Sequence, residues 1–230
     1  MSTPSTRTFN AQIRGIQRAT DAAEATQRVT LEVPGEFSFK AGQYLLVHTP
    51  NHQQVPFSIA SPPADLPTIE LHIQPQLANA ESQQVQLALQ EGQLTTSAAQ
   101  GEVVCPETSN TILVIAAGSG MSQANACALH RANSNKPTDI LWCVANPDAL
   151  YDVNPLHSSQ WIELTTIVDP VVAADNKPMT WVRTNAKKYL NSPIIICGAP
   201  GFVYQVTDIL LGLGFSQSSL HADAYQYAPR

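Results

Sequence analysis

Charge is scarce in this chain. Only 13% of its 230 residues are Asp, Glu, Lys or Arg, about half of the ~25% found in ordinary globular domains. The balance is mildly acidic, with 12 basic residues against 18 acidic ones and a net charge of −6. With no Lys/Arg run to meet a phosphate backbone, neither nucleic acid nor an anionic membrane surface is an expected partner. Long apolar runs are missing too. None approaches the ~20 residues needed to span a bilayer, so no membrane insertion is expected. The first seven residues, Met-Ser-Thr-Pro-Ser-Thr-Arg, lack the apolar core of a secretion signal, and the sequence predicts a soluble cytoplasmic protein. Paired cysteines are also absent. Cys105, Cys127, Cys143 and Cys197 are far apart and form no C-x-x-C pair. That spacing argues against a zinc site, against an iron–sulfur cluster held by neighbouring thiolates, and against a disulfide framework. Three of the four read as small packed hydrophobes.

What remains is enough to build cores. Hydrophobic residues make up 43% of the chain, and its length accommodates two domains of ordinary size. The two halves differ in pattern. In the first, residues 7–17, 27–33, 43–49, 68–74 and 93–97 are rich in Val, Ile, Leu, Thr and Tyr and partly alternate, as strands do. Turn signals separate them, among them Pro34-Gly35, Ala41-Gly42 and Glu91-Gly92. This spacing predicts an antiparallel barrel or sandwich. Residues 76–90 contain neither Gly nor Pro and are predicted as one helix capping it. In the second half, residues 111–117 read TILVIAA, the continuous apolar pattern of a strand buried on both faces. Comparable runs follow at 139–145, 162–168, 193–197 and 220–225, with helix-compatible segments at 121–133, 149–158, 179–191 and 201–213. Such alternation predicts βαβ units in a doubly wound parallel sheet. The polar stretch around Pro106 sets the boundary, giving domains of residues 1–105 and 106–230.

Three short segments could carry chemistry. Ala117-Gly118-Ser119-Gly120-Met121-Ser122 directly follows the first buried strand. Glycine lets the backbone turn sharply there, and the next helix would point its free N–H groups at an anion such as a pyrophosphate. Alone, the same residues describe a tight turn, since the full G-x-G-x-x-G is absent. Ile196-Cys197-Gly198-Ala199-Pro200-Gly201 stands in the equivalent place after a later strand. Two such loops on one sheet favour a nucleotide crevice, and the position of Cys197 favours a residue lining it over a buried strand-end thiol, without making it a nucleophile. Val55-Pro56-Phe57-Ser58-Ile59 lies in the barrel half. By itself it reads as an edge strand with a bulge, because Pro56 cannot donate to a ladder.

Taken together, these segments resemble the ferredoxin reductase superfamily, and within it the small bacterial NAD(P)H:flavin oxidoreductases. Phe39-Lys40-Ala41-Gly42-Gln43-Tyr44 is similar to the family's A-G-Q-Y turn, Pro56-Phe57-Ser58 to its R-P-F-S flavin segment, and Glu70-Leu71-His72-Ile73 to the following strand. Gly118-Ser119-Gly120 resembles the G-T-G nucleotide loop, Cys197-Gly198 with Pro200 the C-G-x-P loop, and Asp223-Ala224-Tyr225 the closing strand. The resemblance implies an N-terminal antiparallel Greek-key β-barrel that binds flavin, followed by a Rossmann-like parallel α/β domain that binds NADH or NADPH. It implies hydride transfer to riboflavin, FMN or FAD in the cleft between them. Ser58 would be the catalytic hydrogen-bonding residue beside the flavin. Pro56, Phe57, Ile59, His72 and Ile73 would bind or flank its ring, and Tyr225 would cover a face. Gly118, Ser119, Gly120, Met121 and Ser122 would hold the nucleotide, with Cys197 and Gly198 beside the nicotinamide.

The sequence also departs from the family pattern. Val55 stands where an Arg normally contacts the flavin phosphate, with Lys40, His48 and His52 as candidate replacements. Asn146 stands where a second Arg is usual, although Tyr151 a few residues later is retained. Arg131, Arg183, Lys187 and Lys188 fall on predicted helices, and only a fold that turns one toward the crevice restores a cation. These departures leave two alternatives beside the flavin reductase. One is a catalytically weakened homologue that serves as a flavin- or partner-binding module. The other is a reductase component that passes electrons to a separate oxygenase.

Overall fold

The computed structural model describes residues 7–170 and 176–230. Two sheets organise it. The first half forms strands β1 (Thr8–Arg18), β2 (Gln27–Glu32), β3 (Tyr44–His48), β4 (Gln54–Ser58) and β5 (Thr68–Ile73), then helix α1 (Ala80–Leu89) and strand β6 (Gln93–Ser97). All pair antiparallel in the order β4-β3-β6-β1-β2-β5. The two ends of this order meet. Ile59, just past β4, bridges to Leu71 of β5, and the Ala60 N–H donates to the Glu70 carbonyl at 2.7 Å. The sheet thereby closes into a barrel at this point, while most of β4 keeps an open side.

Alternation aims one face of each strand inward. Val29 and Leu31 of β2, Leu45 and Val47 of β3, and Ile69, Leu71 and Ile73 of β5 are buried there with Phe9, Val55 and Ile59. Each such side chain contributes roughly 1.5–3 kcal/mol by leaving water. Helix α1 caps the barrel through Val85, Ala88 and Leu89. It starts at Ala80, four residues later than the sequence suggests, because the Asn79 side chain accepts the Ser82 N–H at 3.1 Å and sets the N-terminus there. Strand β4 lies at one end of the strand order, with Pro56 opposite Leu46 of β3. A proline is tolerated there because no long neighbour lies on its other side.

The second half forms β7 (Ile112–Ala117), α2 (Met121–Ala132), β8 (Thr138–Val144), α3 (Asn154–His157), β9 (Ile162–Val168), α4 (Lys177–Asn185), β10 (Ile194–Cys197), α5 (Pro200–Gly212), β11 (Leu220–His221) and α6 (Ala224–Tyr227). The sheet is parallel with order β11-β10-β7-β8-β9. Counted within this half, that is the 3-2-1-4-5 arrangement of a Rossmann-like domain. Helix α2 packs on one face through Ala124, Cys127 and Ala128. Helices α4 and α5 cover the other through Met179, Val182, Val203 and Leu210. The strand order reverses between β7 and β10, and the carboxyl ends of those two strands open the crevice where such sheets take ligands.

Two expectations need correction, and one open placement, that of Arg131, is settled. The predicted strand at 220–225 stops at His221, and the chain turns helical from Ala224. The predicted helix at 149–158 shrinks to α3. Asn146 accepts the Asp148 N–H at 3.0 Å in a short 3₁₀ turn at Pro147–Ala149, and Leu150 then leaves in an extended conformation. Arg131 is not a surface cation at all. It is 1% exposed. Its guanidinium donates to the carbonyls of Pro106, Thr108, Asn110 and Pro137 at 2.7–3.0 Å and to the Thr138 hydroxyl at 3.1 Å. All four cysteines are free and buried. No helix among the described residues is long and apolar enough to cross a membrane.

Arg131→Met removes five hydrogen bonds and strands four carbonyls that the guanidinium satisfies. The expected cost is at least ~3 kcal/mol, since each unsatisfied buried group costs about 1–3 kcal/mol. Urea unfolding measures it, and a loss below ~1 kcal/mol would show that water takes over those carbonyls.

Candidate functional site

A cleft of about 590 Å³ lies between the barrel and the carboxyl ends of β7 and β10. The barrel wall carries Tyr44, Val55, Pro56, Phe57, Ser58, His72 and Ile73. The opposite wall carries Ser119, Gly120, Ser122 and Gln123 from the first loop and Cys197 and Gly198 from the second. Helix α1 contributes Asn79, Glu81 and Ser82 at one end, and the C-terminal segment contributes Asp223 and Tyr227 at the other.

The two loops are locked against each other. A Cβ on Gly120 would meet the backbone carbon and oxygen of Cys197 at 2.7 Å, closer than real contacts allow. Gly198 holds φ at +145°, with the Ala117 Cβ 3.0 Å from where its own would be. Only glycine fits both places. Helix α2 begins at the end of this floor with no side-chain cap, its first N–H, that of Met121, being bonded to the Gly118 and Ser119 carbonyls of the preceding 3₁₀ turn.

Two amides on α2 then join the sheets. Gln123 donates from Nε2 to the Gly42 carbonyl at 2.6 Å and to Asp223 Oδ2 at 2.9 Å. Asn125 donates from Nδ2 to the Ala60 carbonyl at 2.8 Å. Both residues are buried. The other oxygen of Asp223 is buried without a partner, and burial raises this carboxyl above the usual range despite the bond from Gln123. Burial likewise pushes the Cys197 thiol up, so it stays protonated at neutral pH.

A third connection runs through His72, which is 4% exposed. Its Nδ1 lies 2.8 Å from the Tyr151 hydroxyl, and its Nε2 lies 2.6 Å from Glu70 Oε1. Glu70 is also gripped by Arg28 through two bonds of 3.0 Å. Burial favours the neutral carboxyl, but the bonds from His72 and Arg28 outweigh it and hold Glu70 below the ordinary carboxylate range. The Tyr151 ring stands edge-on to both His72 and Trp142, with centroids 5.0 Å apart in each case. Trp142 in turn donates from Nε1 to the Gly118 carbonyl at 3.2 Å.

The residues picked from sequence divide into two sets. Pro56, Phe57, Ser58, His72, Ile73, Ser119, Gly120, Ser122, Cys197 and Gly198 meet in the cleft. Four others stand behind it. Ile59 is fully buried in the barrel core, and Met121 packs under the parallel sheet. Gly118 turns its carbonyl to Trp142. Tyr225 points away, its hydroxyl 2.7 Å from that of Thr207 and its ring against Tyr204. Tyr227 lines the cleft instead. The helical turn after Asp223 explains the exchange, since two residues along a helix rotate a side chain by about 200°. Gln123 and Asn125 were not singled out from sequence, and Asp223 entered only as part of the Asp223-Ala224-Tyr225 segment, without a role of its own. The only signal for the two amides was an alanine-rich helix start, MSQANACA, with amides where apolar residues would be expected.

Electrostatically the cleft lacks cations. No Lys or Arg lines it, while Glu81 and Asp223 do. Val55 occupies its wall as the sequence implies, and none of Lys40, His48 and His52 takes over that place.

No family model matches the chain. Among curated proteins it is 24% identical over 214 residues to reductase component 1 of terephthalate 1,2-dioxygenase from a Comamonas species, covering 88% of this chain. The chain spans 64% of that relative's length. It is 26% identical to a probable flavin reductase of Photobacterium leiognathi, covering 95% of this chain and 99% of that protein. It is 31% identical over 153 residues to an NAD(P)H-flavin reductase of Vibrio harveyi, covering 63% of each. Among solved structures, the ferredoxin reductase in carbazole 1,9a-dioxygenase superposes with a TM-score of 0.79 at 19% identity, covering 95% of this chain and 69% of that one. Ferredoxin-NADP+ reductase from Plasmodium falciparum gives 0.75 at 16% identity, covering 94% and 95%.

Gly120→Ala is expected to cost about 1–3 kcal/mol, because the new methyl must push the Cys197 backbone away. Ser119→Ala, with no such clash, should stay within ~0.5 kcal/mol. Urea unfolding of both compares them directly, and equal stabilities would show that the two loops separate freely.

Proposed function

We propose that this chain, a member of the ferredoxin reductase superfamily by fold and by sequence, is an NAD(P)H:flavin oxidoreductase that supplies reduced flavin. One observation carries the reading. The cleft at the switch point of a Rossmann-like sheet is faced by the Phe57-Ser58 segment of a barrel, so two planar rings can be held against each other there. The reaction is hydride transfer from the nicotinamide ring to the flavin ring, and those rings supply the chemistry. The protein binds, orients and excludes water.

In this assignment residues 1–105 bind flavin and residues 106–230 bind the nucleotide. Ser58 offers a hydroxyl to the flavin ring, with Pro56, Phe57, His72 and Ile73 along its edges. Ser119, Gly120 and Ser122 receive the nucleotide at the uncapped start of α2, and Cys197 and Gly198 flank the nicotinamide as neutral, close-fitting walls. The aromatic cover passes from Tyr225 to Tyr227. Ile59, Gly118 and Met121 act from behind, by fixing the strands and loop that the ligands touch. Four unpaired thiols agree with a cytoplasmic setting. The likeness to a dioxygenase reductase component supports a second reading, in which the electrons go on to a separate oxygenase.

A cleft without cations should hold flavin by its ring. Riboflavin and FMN are expected to bind within a few-fold of each other, because the charge-assisted contact worth about 1.5–3 kcal/mol to a phosphate is missing. Calorimetric titration with each, beside an assay of NADH oxidation on adding riboflavin, tests this. A preference for FMN of tenfold or more would reveal a clamp elsewhere. Failure to oxidise NADH with any flavin would remove the proposal.

NADH is expected to serve at least as well as NADPH. Arg131 is withdrawn into the core, and the turn after β8 presents Asp148 where a 2′-phosphate would need a cation. Steady-state kinetics with both donors at saturating riboflavin decide, and a strong NADPH preference would place the ribose elsewhere.

A further inference from the structure

One end of the cleft is closed by the first turn of helix α1, which belongs to the barrel half. A flavin whose ring lies along Phe57, Ser58 and Ile73 stays on its own wall only if its side chain runs on toward Gln76, Asn79 and Ser82. Those residues suit a chain of hydroxyls, since amides and a serine both donate and accept. They do not suit a phosphate. No Lys or Arg stands between Lys40 and Arg131, whereas six acids do. The cleft face of the barrel, helix α1 and the first glycine loop are therefore built without a cation. A helix start can hold an anion through its free N–H groups, but here the chain supplies the oxygen itself. Asn79 Oδ1 accepts the Ser82 N–H at 3.1 Å. The Ser82 hydroxyl is engaged as well, accepting the Gln76 N–H at 2.8 Å. The charge that this turn does present is Glu81, which is exposed and lines the cleft. A second carboxylate, Glu24, lies beside it in the approach to the helix, where it accepts the Leu77 N–H at 2.7 Å.

We propose that Glu81 sets the flavin preference of the cleft, admitting the neutral ribityl chain of riboflavin and disfavouring the phosphate of FMN. This rests on the reading of the cleft as a flavin site and names the residue that discriminates within it. Val55 removes an attraction for phosphate; Glu81 adds a repulsion. An FMN phosphate carries roughly two negative charges at neutral pH. Against one exposed carboxylate that repulsion is worth a few-fold in affinity, because solvent screens it. Riboflavin brings only hydroxyls, which can donate to the same carboxylate. A first-turn acid also stabilises its helix through the dipole, and a residue with that role alone leaves the choice of flavin untouched.

Calorimetric titration of the full chain with riboflavin and with FMN reads the ratio of the two dissociation constants in the wild type, Glu81→Gln and Glu81→Lys. In low salt the wild type should hold riboflavin about threefold more tightly than FMN. Glu81→Gln should bring the ratio to about one, and Glu81→Lys should invert it to about threefold in favour of FMN. The wild-type ratio should also fall toward one near ~1 M NaCl, where the Debye length is ~3 Å. A ratio that neither substitution moves, or that salt leaves in place, overturns the role of Glu81, while NADH oxidation with riboflavin keeps the flavin reductase reading intact. Affinity lost for both flavins together, at a constant ratio, would assign Glu81 to the stability of α1 and equally overturn the proposal. If neither flavin binds the wild type, the reading of the cleft falls and this inference with it.

Discussion

Helix α2 is the joint on which the molecule depends. Its backbone begins at the floor of the cleft, and its buried amides, Gln123 and Asn125, reach across to carbonyls of the barrel. Barrel carbonyls that face another sheet must find donors or remain costly orphans. A helix of alanines alone would pack as tightly and leave those carbonyls unsatisfied. Two amides among small residues satisfy them, and in doing so fix where the barrel wall of the cleft stands relative to the two glycine loops. Neither loop could present its backbone to a ligand against the barrel if α2 were free to slide.

How much of this could be read beforehand follows from the kind of signal each element carries. The continuous apolar run ahead of Gly118 has one physical meaning, a strand covered on both faces, and it sits where expected. Most barrel strands were visible through alternation, and β4 through Pro56, which is compatible only with an edge strand; the bulge expected there is absent from its regular register with β3. Tyr225 shows the limit. Nothing local distinguishes a two-residue strand followed by a helical turn from a six-residue strand, and that difference turns Tyr225 away and brings Tyr227 in. Arg131 shows another. A cation on a helix is ordinarily solvated, and only the convergence of four carbonyls from residues distant in sequence makes its burial favourable. Asp223 was visible only as part of a segment, because its environment, not its type, sets it apart.

The scarcity of charge acquires a structural sense in the cleft. The lining offers glycine-permitted close approach, neutral hydroxyls and amides, and aromatic and aliphatic faces. Such contacts distinguish shape more than charge. They are also little screened by salt, so affinity for a ring-shaped ligand should vary weakly with ionic strength.

The segment joining the two halves has a consequence for motion. At its start, Gln100 exchanges backbone bonds with Tyr44, Gln43 donates to the Gly101 carbonyl, and the Cys105 N–H donates to Ala41. From Pro106 to Asn110 its carbonyls are gathered by Arg131. A hinge needs a few residues whose dihedral angles can swing without breaking bonds elsewhere, and this connection has almost none. The bonds of this connection thus tie each half to the segment between them, and any swing of one half against the other has to break some of them first.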